Sequence, residues 1–347
     1  MKKILSVFAA AMVMVSSVCG CSLAGQEGKK DDKIQIVTTI FPEYDWVENV
    51  LGSNPANAEV TLLQDNGADL HSFQPSASDI VKISECDLFI YVGGESDEWV
   101  EDVLKEATNK DMAVINLLEI LGDRVVEEEI VEGMQEEEHE HDHDEDEDEH
   151  EHEHDEIEKA HDHQHEEETE YDEHVWLSLK NASVLVQSIC DAIVEIDSAN
   201  ADVYKSNAAS YIEKLDQLDM EYQQAVAASG INTILFGDRF PFRYLVDDYG
   251  LEYYAAFVGC SAESEASFET VTFLAQKVDE LSLPAVLTIE GPDHSIAETI
   301  VENTSTQDQK ILTMNSMQSV SSTDIANGAS YLSIMESNLS VLKQALN

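Results

Sequence analysis

The sequence predicts an α/β protein of two lobes, each with a mainly parallel sheet flanked by helices, joined by one long rigid helix. Three observations predict it. Short, fully apolar, β-rich runs alternate with helical stretches, the pattern of parallel strands covered on both faces. The alternation occurs twice, before and after a central helical region. Within that region Tyr204, Tyr211, Leu215, Leu218 and Tyr222 form one stripe at three-, four- and seven-residue spacings, so a single long helix runs there.

The first lobe spans residues 34–196. Residues 34–40, Ile-Gln-Ile-Val-Thr-Thr-Ile, make a strand because β-branched side chains dominate. Pro42 opens a helix with Val47, Val50 and Leu51 at helical spacing. Residues 59–63 give a second strand, and 79–84 a helix on which Ile80 and Ile83 face inward. The apolar strand 88–92 is closed by Gly93 and Gly94; helix 99–107 and strand 112–115 follow. Helices over 179–196 and 201–228 come next, the second stopped by Gly230. Residues 197–229 are thus the link. The second lobe, 230–347, repeats the alternation: strand 233–236, helix 242–249, strand 251–256, helix 267–281, strand 285–289, helix 295–303 and strand 310–314. A last helix carries Tyr331, Met335, Leu339 and Leu342. Ligand sites favour the cleft between two such lobes.

Charge narrows the function. The 347 residues carry 72 acidic and 18 basic side chains, a net charge of −54, with 43% hydrophobic content. The hydrophobic share excludes wholesale disorder. The acidity excludes nucleic acid as a partner, since phosphate needs a basic face. Residues 127–170 alone hold 25 acidic residues, one lysine and nine of the twelve histidines, and the rest of the chain is still −30. Such a surface suits cations or solvation.

Met1-Lys2-Lys3 and the apolar run 4–18 read as an export signal over residues 1–20, too short for a comfortable membrane span. The run ends Val18-Cys19-Gly20-Cys21-Ser22, which resembles the bacterial lipobox. On that resemblance Cys21 bears the lipid as the first mature residue, and 21–33 is a flexible tether. Beyond the signal lie Cys86, Cys190 and Cys260. Their odd number and lack of C-x-x-C spacing read as buried small residues, with one disulfide of open pairing allowed.

Three histidines lie outside the acidic tract. His71 sits in Gly67-Ala68-Asp69-Leu70-His71-Ser72-Phe73-Gln74-Pro75-Ser76, a loop on the carboxyl side of a strand, where α/β sheets bind ligands. His174 sits in Asp172-Glu173-His174-Val175-Trp176-Leu177, where Asp172 can orient its imidazole. Asp238 and Glu290 each follow an apolar strand of the second lobe, where a carboxylate is costly unless paired or bound to a cation. Arg239 and Arg243 are alternative partners for Asp238, a helix N-terminus is one for Glu290, and His294 is a substitute ligand or first-turn surface.

Thr38-Thr39-Ile40-Phe41-Pro42, the Asp69–Ser76 segment and the Asp172–Leu177 segment together resemble the zinc/manganese solute-binding lipoproteins of ABC importers (cluster A-I). The acidic histidine tract ahead of His174 is similar to that of the family's zinc-binding members. The resemblance covers nearly the whole mature chain. It implies a metal held between the lobes by His71 and His174, with Asp238 in the third ligand place and Glu290 in the fourth. Zinc-type members usually carry histidine in the third place; here the run is Phe236-Gly237-Asp238-Arg239-Phe240-Pro241-Phe242-Arg243. Two histidines and two carboxylates suit Zn2+ and also Mn2+, a harder ion.

The tract contains His139, His141, His143, His150, His152, His154, His161, His163 and His165 among carboxylates. Alternating imidazole and carboxylate cannot build a core, so it reads as a loop, and its imidazoles favour zinc over manganese. The expected function is capture of Zn2+ outside the cytoplasm, with Mn2+ as the alternative, by a monomer lipid-anchored to the cell membrane. Delivery to the permease and its ATPase follows, with no enzymatic activity. Binding is expected to weaken below about pH 6 as imidazoles protonate. Rival readings are a surface adhesin with a structural metal, or a metallohydrolase. The latter finds no H-E-x-x-H or similar signature.

Overall fold

The computed structural model describes residues 33–135, 170–261 and 265–347. The signal, Cys21 and the nine tract histidines therefore lie outside the described residues. Residues 33–347 cluster as one compact unit.

The elements run β1 (Gln35–Thr38), α1 (Phe41–Leu51), β2 (Glu59–Leu62), α2 (Ala77–Glu85), β3 (Leu88–Tyr91), α3 (Trp99–Glu106), β4 (Ala113–Asn116), α4 (Leu117–Leu121), α5 (Leu179–Ile196) and α6 (Ala201–Ala228). Then come β5 (Thr233–Phe240), α7 (Arg243–Tyr249), β6 (Glu252–Val258), α8 (Phe268–Leu281), β7 (Ala285–Thr288), α9 (Ser295–Glu302), β8 (Lys310–Thr313), α10 (Ser322–Ala326) and α11 (Tyr331–Ala345). Helix starts follow local chemistry: Ser76, Asn116, Ser178, Ser267, Ser321 and Ser330 each cap the helix behind them by accepting a backbone N–H.

The strands form two four-stranded sheets of orders β2-β1-β3-β4 and β6-β5-β7-β8, parallel throughout. This is the predicted two-lobe α/β architecture. Parallel strands put all their carboxyl ends on one edge, and the order reverses beside β1 and β3 in one sheet and beside β5 and β7 in the other. Ligand crevices open at such points.

The 28-residue α6 is about 42 Å long at ~1.5 Å per residue. It buries the expected stripe, Tyr204, Tyr211, Leu215, Leu218 and Tyr222. It does not bind the halves alone. The last helix, α11, packs on α6 and reaches α1, with the Trp46 and Tyr331 rings edge-on at 5.3 Å. Tyr331 donates to the Trp176 carbonyl (2.6 Å), Tyr222 to that of Met335 (2.6 Å), and Trp176 Nε1 to that of Ser316 (2.8 Å). One cluster of buried side chains consequently runs from Ile36 and Ile90 of the first sheet to Phe236 and Leu287 of the second.

Two details differ from expectation. Ile83 is fully buried but Ile80 is 38% exposed, because α2 rests on β1 and α3 along a narrow stripe. And β5 continues to Phe240 with a register shift: Phe236 faces Ala255 while Arg239 faces Phe257, so Gly237 and Asp238 oppose one residue of β6. Asp238 thus lies inside a bulged strand rather than after it, and a bulge re-aims side chains. Gly237 is required there, since a Cβ would fall 2.6 Å from the Ala297 backbone.

Candidate metal centre

The first sheet supplies His71. After β2 the chain makes a short turn, Leu70–Ser72, held by Asp69, whose Oδ1 accepts the His71 N–H at 3.1 Å. The segment before α5 supplies His174. There the Glu127–Tyr171 bridge and the turn Val175–Leu177 bracket a ring with no exposed surface.

The two rings meet. His71 Nε2 and His174 Nε2 are 3.2 Å apart. Each Nδ1 faces the other way: His174 Nδ1 to Asp172 Oδ1 at 3.1 Å, and His71 Nδ1 to Ser96 Oγ at 2.8 Å, with Glu173 Oε2 at 3.6 Å. A carboxylate at Asp172 favours the His174 tautomer with its proton on Nδ1, and the nearby Glu173 favours the same for His71. With a proton on each Nδ1, both Nε2 lone pairs would face each other, an arrangement a cation relieves. Two Zn–N bonds of 2.0–2.1 Å at a tetrahedral angle place the nitrogens about 3.3 Å apart.

Among the described residues, the group of His, Cys, Asp or Glu side chains whose ligand atoms all lie within 4.8 Å of one another is His71, His174 and Cys260. Cys260 follows β6, again at the carboxyl edge. The structure brings together His71 and His174 of the four expected ligands; Asp238 and Glu290 stand outside this group. Asp238 Oδ1 accepts from Arg239 N (2.9 Å) and Oδ2 from Ile289 N (3.2 Å). Glu290 accepts from Ser316 N (2.6 Å) and Ser316 Oγ (2.7 Å). Both carboxylates, with His294, line a cavity of about 460 Å3 that also touches Asp69, His71 and Arg239. A second cavity of about 280 Å3 is lined by His71, Cys260, Glu128, Glu170, Tyr171 and Glu173.

Arg239 ties the two halves of the site. It donates from Nη2 to Asp69 Oδ2 at 2.8 Å and from Nη1 to the Ser261 carbonyl at 3.3 Å. Its expected partner Asp238 receives only its backbone N–H in hydrogen bonding. Arg243 pairs instead with Asp247 and Glu129.

Burial, and then the neighbouring His174, push His71 down to about 3. Burial raises Asp69, but Arg239 overrides it and holds this carboxyl below the usual range. Burial raises Glu173, Glu128 and Asp238. Burial, reinforced by Glu128, holds the Cys260 thiol well above its ordinary value.

Cys86, Cys190 and Cys260 are unpaired thiols. The first two are buried, as expected, whereas Cys260 is half-buried and lies beside the two imidazoles. The missed signal was Gly259-Cys260-Ser261 directly after an apolar strand.

A family model described as zinc-uptake complex component A, periplasmic, matches residues 36–345. The chain is 29% identical over 334 residues to the zinc-binding lipoprotein AdcA of Streptococcus pneumoniae, covering 96% of this chain and 60% of that protein. The chain thus spans 56–60% of the length of the streptococcal relatives it matches. It is 27% identical over 342 residues to the high-affinity zinc uptake system protein ZnuA of Bacillus subtilis, covering 99% of this chain and 97% of that one. Among solved structures, the Zn(II)-bound ZnuA-like domain of S. pneumoniae AdcA superposes with a TM-score of 0.66 at 27% identity, covering 90% of this chain and 99% of that one.

Proposed function

The chain belongs to the family of zinc-uptake complex component A, and from that premise we propose that it captures Zn2+ outside the cytoplasm for an ABC importer. It hands the ion to the membrane permease, whose ATPase drives import. The ion sits where the two lobes meet, anchored by His71 and His174. Asp238 and Glu290 act from the adjoining cavity wall, keeping the surroundings of the ion negative. The protein is a carrier rather than an enzyme, a monomer held to the membrane through a lipid on Cys21. The nine histidines of the acidic tract collect divalent ions at low affinity.

The observation that carries this reading is the facing Nε2 pair, 3.2 Å apart, with both Nδ1 atoms engaged behind. Imidazole pairs of that kind suit zinc better than manganese, which prefers oxygen. The zinc-binding names of the relatives agree.

Zinc titration of residues 33–347 against a competing chelator tests it. His71→Ala should weaken tight binding by at least about 100-fold, the upper end of the loss seen when only a group behind a ligand is removed. Deleting residues 136–169 should leave the tight site and remove only weaker binding. Tight binding that follows the tract instead of His71, or tighter binding of Mn2+ than of Zn2+, refutes the assignment. In cells, deletion should impair zinc-limited growth.

A further inference from the structure

We propose that Cys260 is the third metal ligand, binding as a thiolate through Sγ, so that the site is His2Cys rather than two histidines and two carboxylates. This deepens the zinc reading and rests on it.

Proximity is the first argument. The Cys260 sulfur belongs to the group whose ligand atoms lie within 4.8 Å of one another, whereas Asp238 and Glu290 stand outside it, each held by N–H or O–H donors of the second lobe. The second argument is that the chain on both sides of Cys260 is built to hold it there. Before it, Gly259 presses on the His174 ring: a Cβ would lie 2.9 Å from His174 Cε1 and 3.0 Å from the Phe240 carbonyl oxygen. Only a residue without a side chain lets the strand end approach the ring so closely. After it, the Ser261 carbonyl accepts from Arg239, which also grips Asp69 two residues before His71. Arg239 therefore fixes the spacing between the loop of His71 and the loop of Cys260. Glu128 Oε1 takes the Cys260 N–H at 3.3 Å and completes the frame.

The chemistry follows from the donor set. Two imidazoles and a thiolate form a soft N/S site of a kind zinc takes and manganese does not favour. On binding, the S–H bond breaks, its electron pair goes to Zn2+, and the proton leaves to solvent.

Cobalt(II) makes the assignment visible, because a thiolate ligand gives a sulfur-to-cobalt charge-transfer band that imidazole and carboxylate do not. Residues 33–347 contain Cys86, Cys190 and Cys260 as their cysteines. Loaded with one equivalent of Co2+, this protein should show the band, and Cys260→Ser should abolish it. Cys86→Ser with Cys190→Ser should keep it. Zinc affinity should fall at least about tenfold in Cys260→Ser, the loss seen even for supporting groups. In the unaltered protein, one equivalent of Zn2+ should protect Cys260 from alkylation, a readout independent of any variant. Absence of the band, or its survival in Cys260→Ser, overturns the proposal, as does unchanged zinc affinity or unchanged alkylation. If His71→Ala still abolishes tight binding in that case, the zinc reading stands and only the thiolate assignment falls. If the protein binds no zinc tightly, the zinc reading itself has failed.

Discussion

Asp172 offers a graded test of how the site is organised. Its Oδ1 accepts both the His174 backbone N–H, at 2.8 Å, and the His174 Nδ1–H, at 3.1 Å. The second contact fixes which ring nitrogen is free for metal. Asp172→Asn keeps an oxygen in place but removes its charge. A charge-assisted hydrogen bond is worth roughly 2 kcal/mol and a neutral one about half that. The loss of about 1 kcal/mol predicts zinc binding weakened roughly fivefold at ~1.4 kcal/mol per tenfold. Asp172→Ala removes the acceptor, so the ring loses its tautomer and its orientation; the expected loss is about 100-fold. Chelator competition at constant pH measures both, with the metal-free melting temperature showing that each variant folds. Wild-type affinity within twofold for both variants, or a larger loss for Asn than for Ala, would refute the reasoning.

Two other predictions concern packing and protons. Gly259→Ala should weaken zinc binding at least about tenfold. The new methyl meets His174, which cannot yield between Asp172 and Trp176, and near-native affinity would show the contact to be soft. Glu43 is fully buried and accepts from Thr39 N at 2.8 Å; burial, then Asp97, push it up to about 8. Unfolded, it loses its proton near 4.5, so between pH 4.5 and 8 the folded state holds more protons and metal-free stability falls as pH rises. The slope from this group is at most about 1.4 kcal/mol per pH unit. His71, held low, acts in the opposite sense below its ordinary value, so the comparison belongs at pH 6.5 and above. Glu43→Gln should shrink the drop in urea midpoint between pH 6.5 and 8; an unchanged drop counts against the buried proton.

Most of the architecture was legible because it rests on periodicity. The stripe on α6 and the apolar runs of β3, β5 and β7 admit few alternatives once strand and helix alternate. His71 and His174 were legible because their flanking segments are distinctive. What escaped depends on contacts between distant segments. Arg239 looked like a neighbour for Asp238, yet its guanidinium reaches Asp69, 170 positions away in the chain. The bulge that redirects Asp238 is a matter of register between β5 and β6, which composition does not encode. Cys260 has the signature of a buried filler until Gly259 is seen against the His174 ring.

The shared interior of the two halves bears on how far they can move apart. Trp46, Trp176, Tyr222 and Tyr331 are sealed in one cluster reaching both sheets. Prising the halves apart would wet these four rings, at roughly 200 Å2 each and 25 cal/mol per Å2, or about 20 kcal/mol. The two halves are therefore held as one body, and separating them would carry a cost of that order.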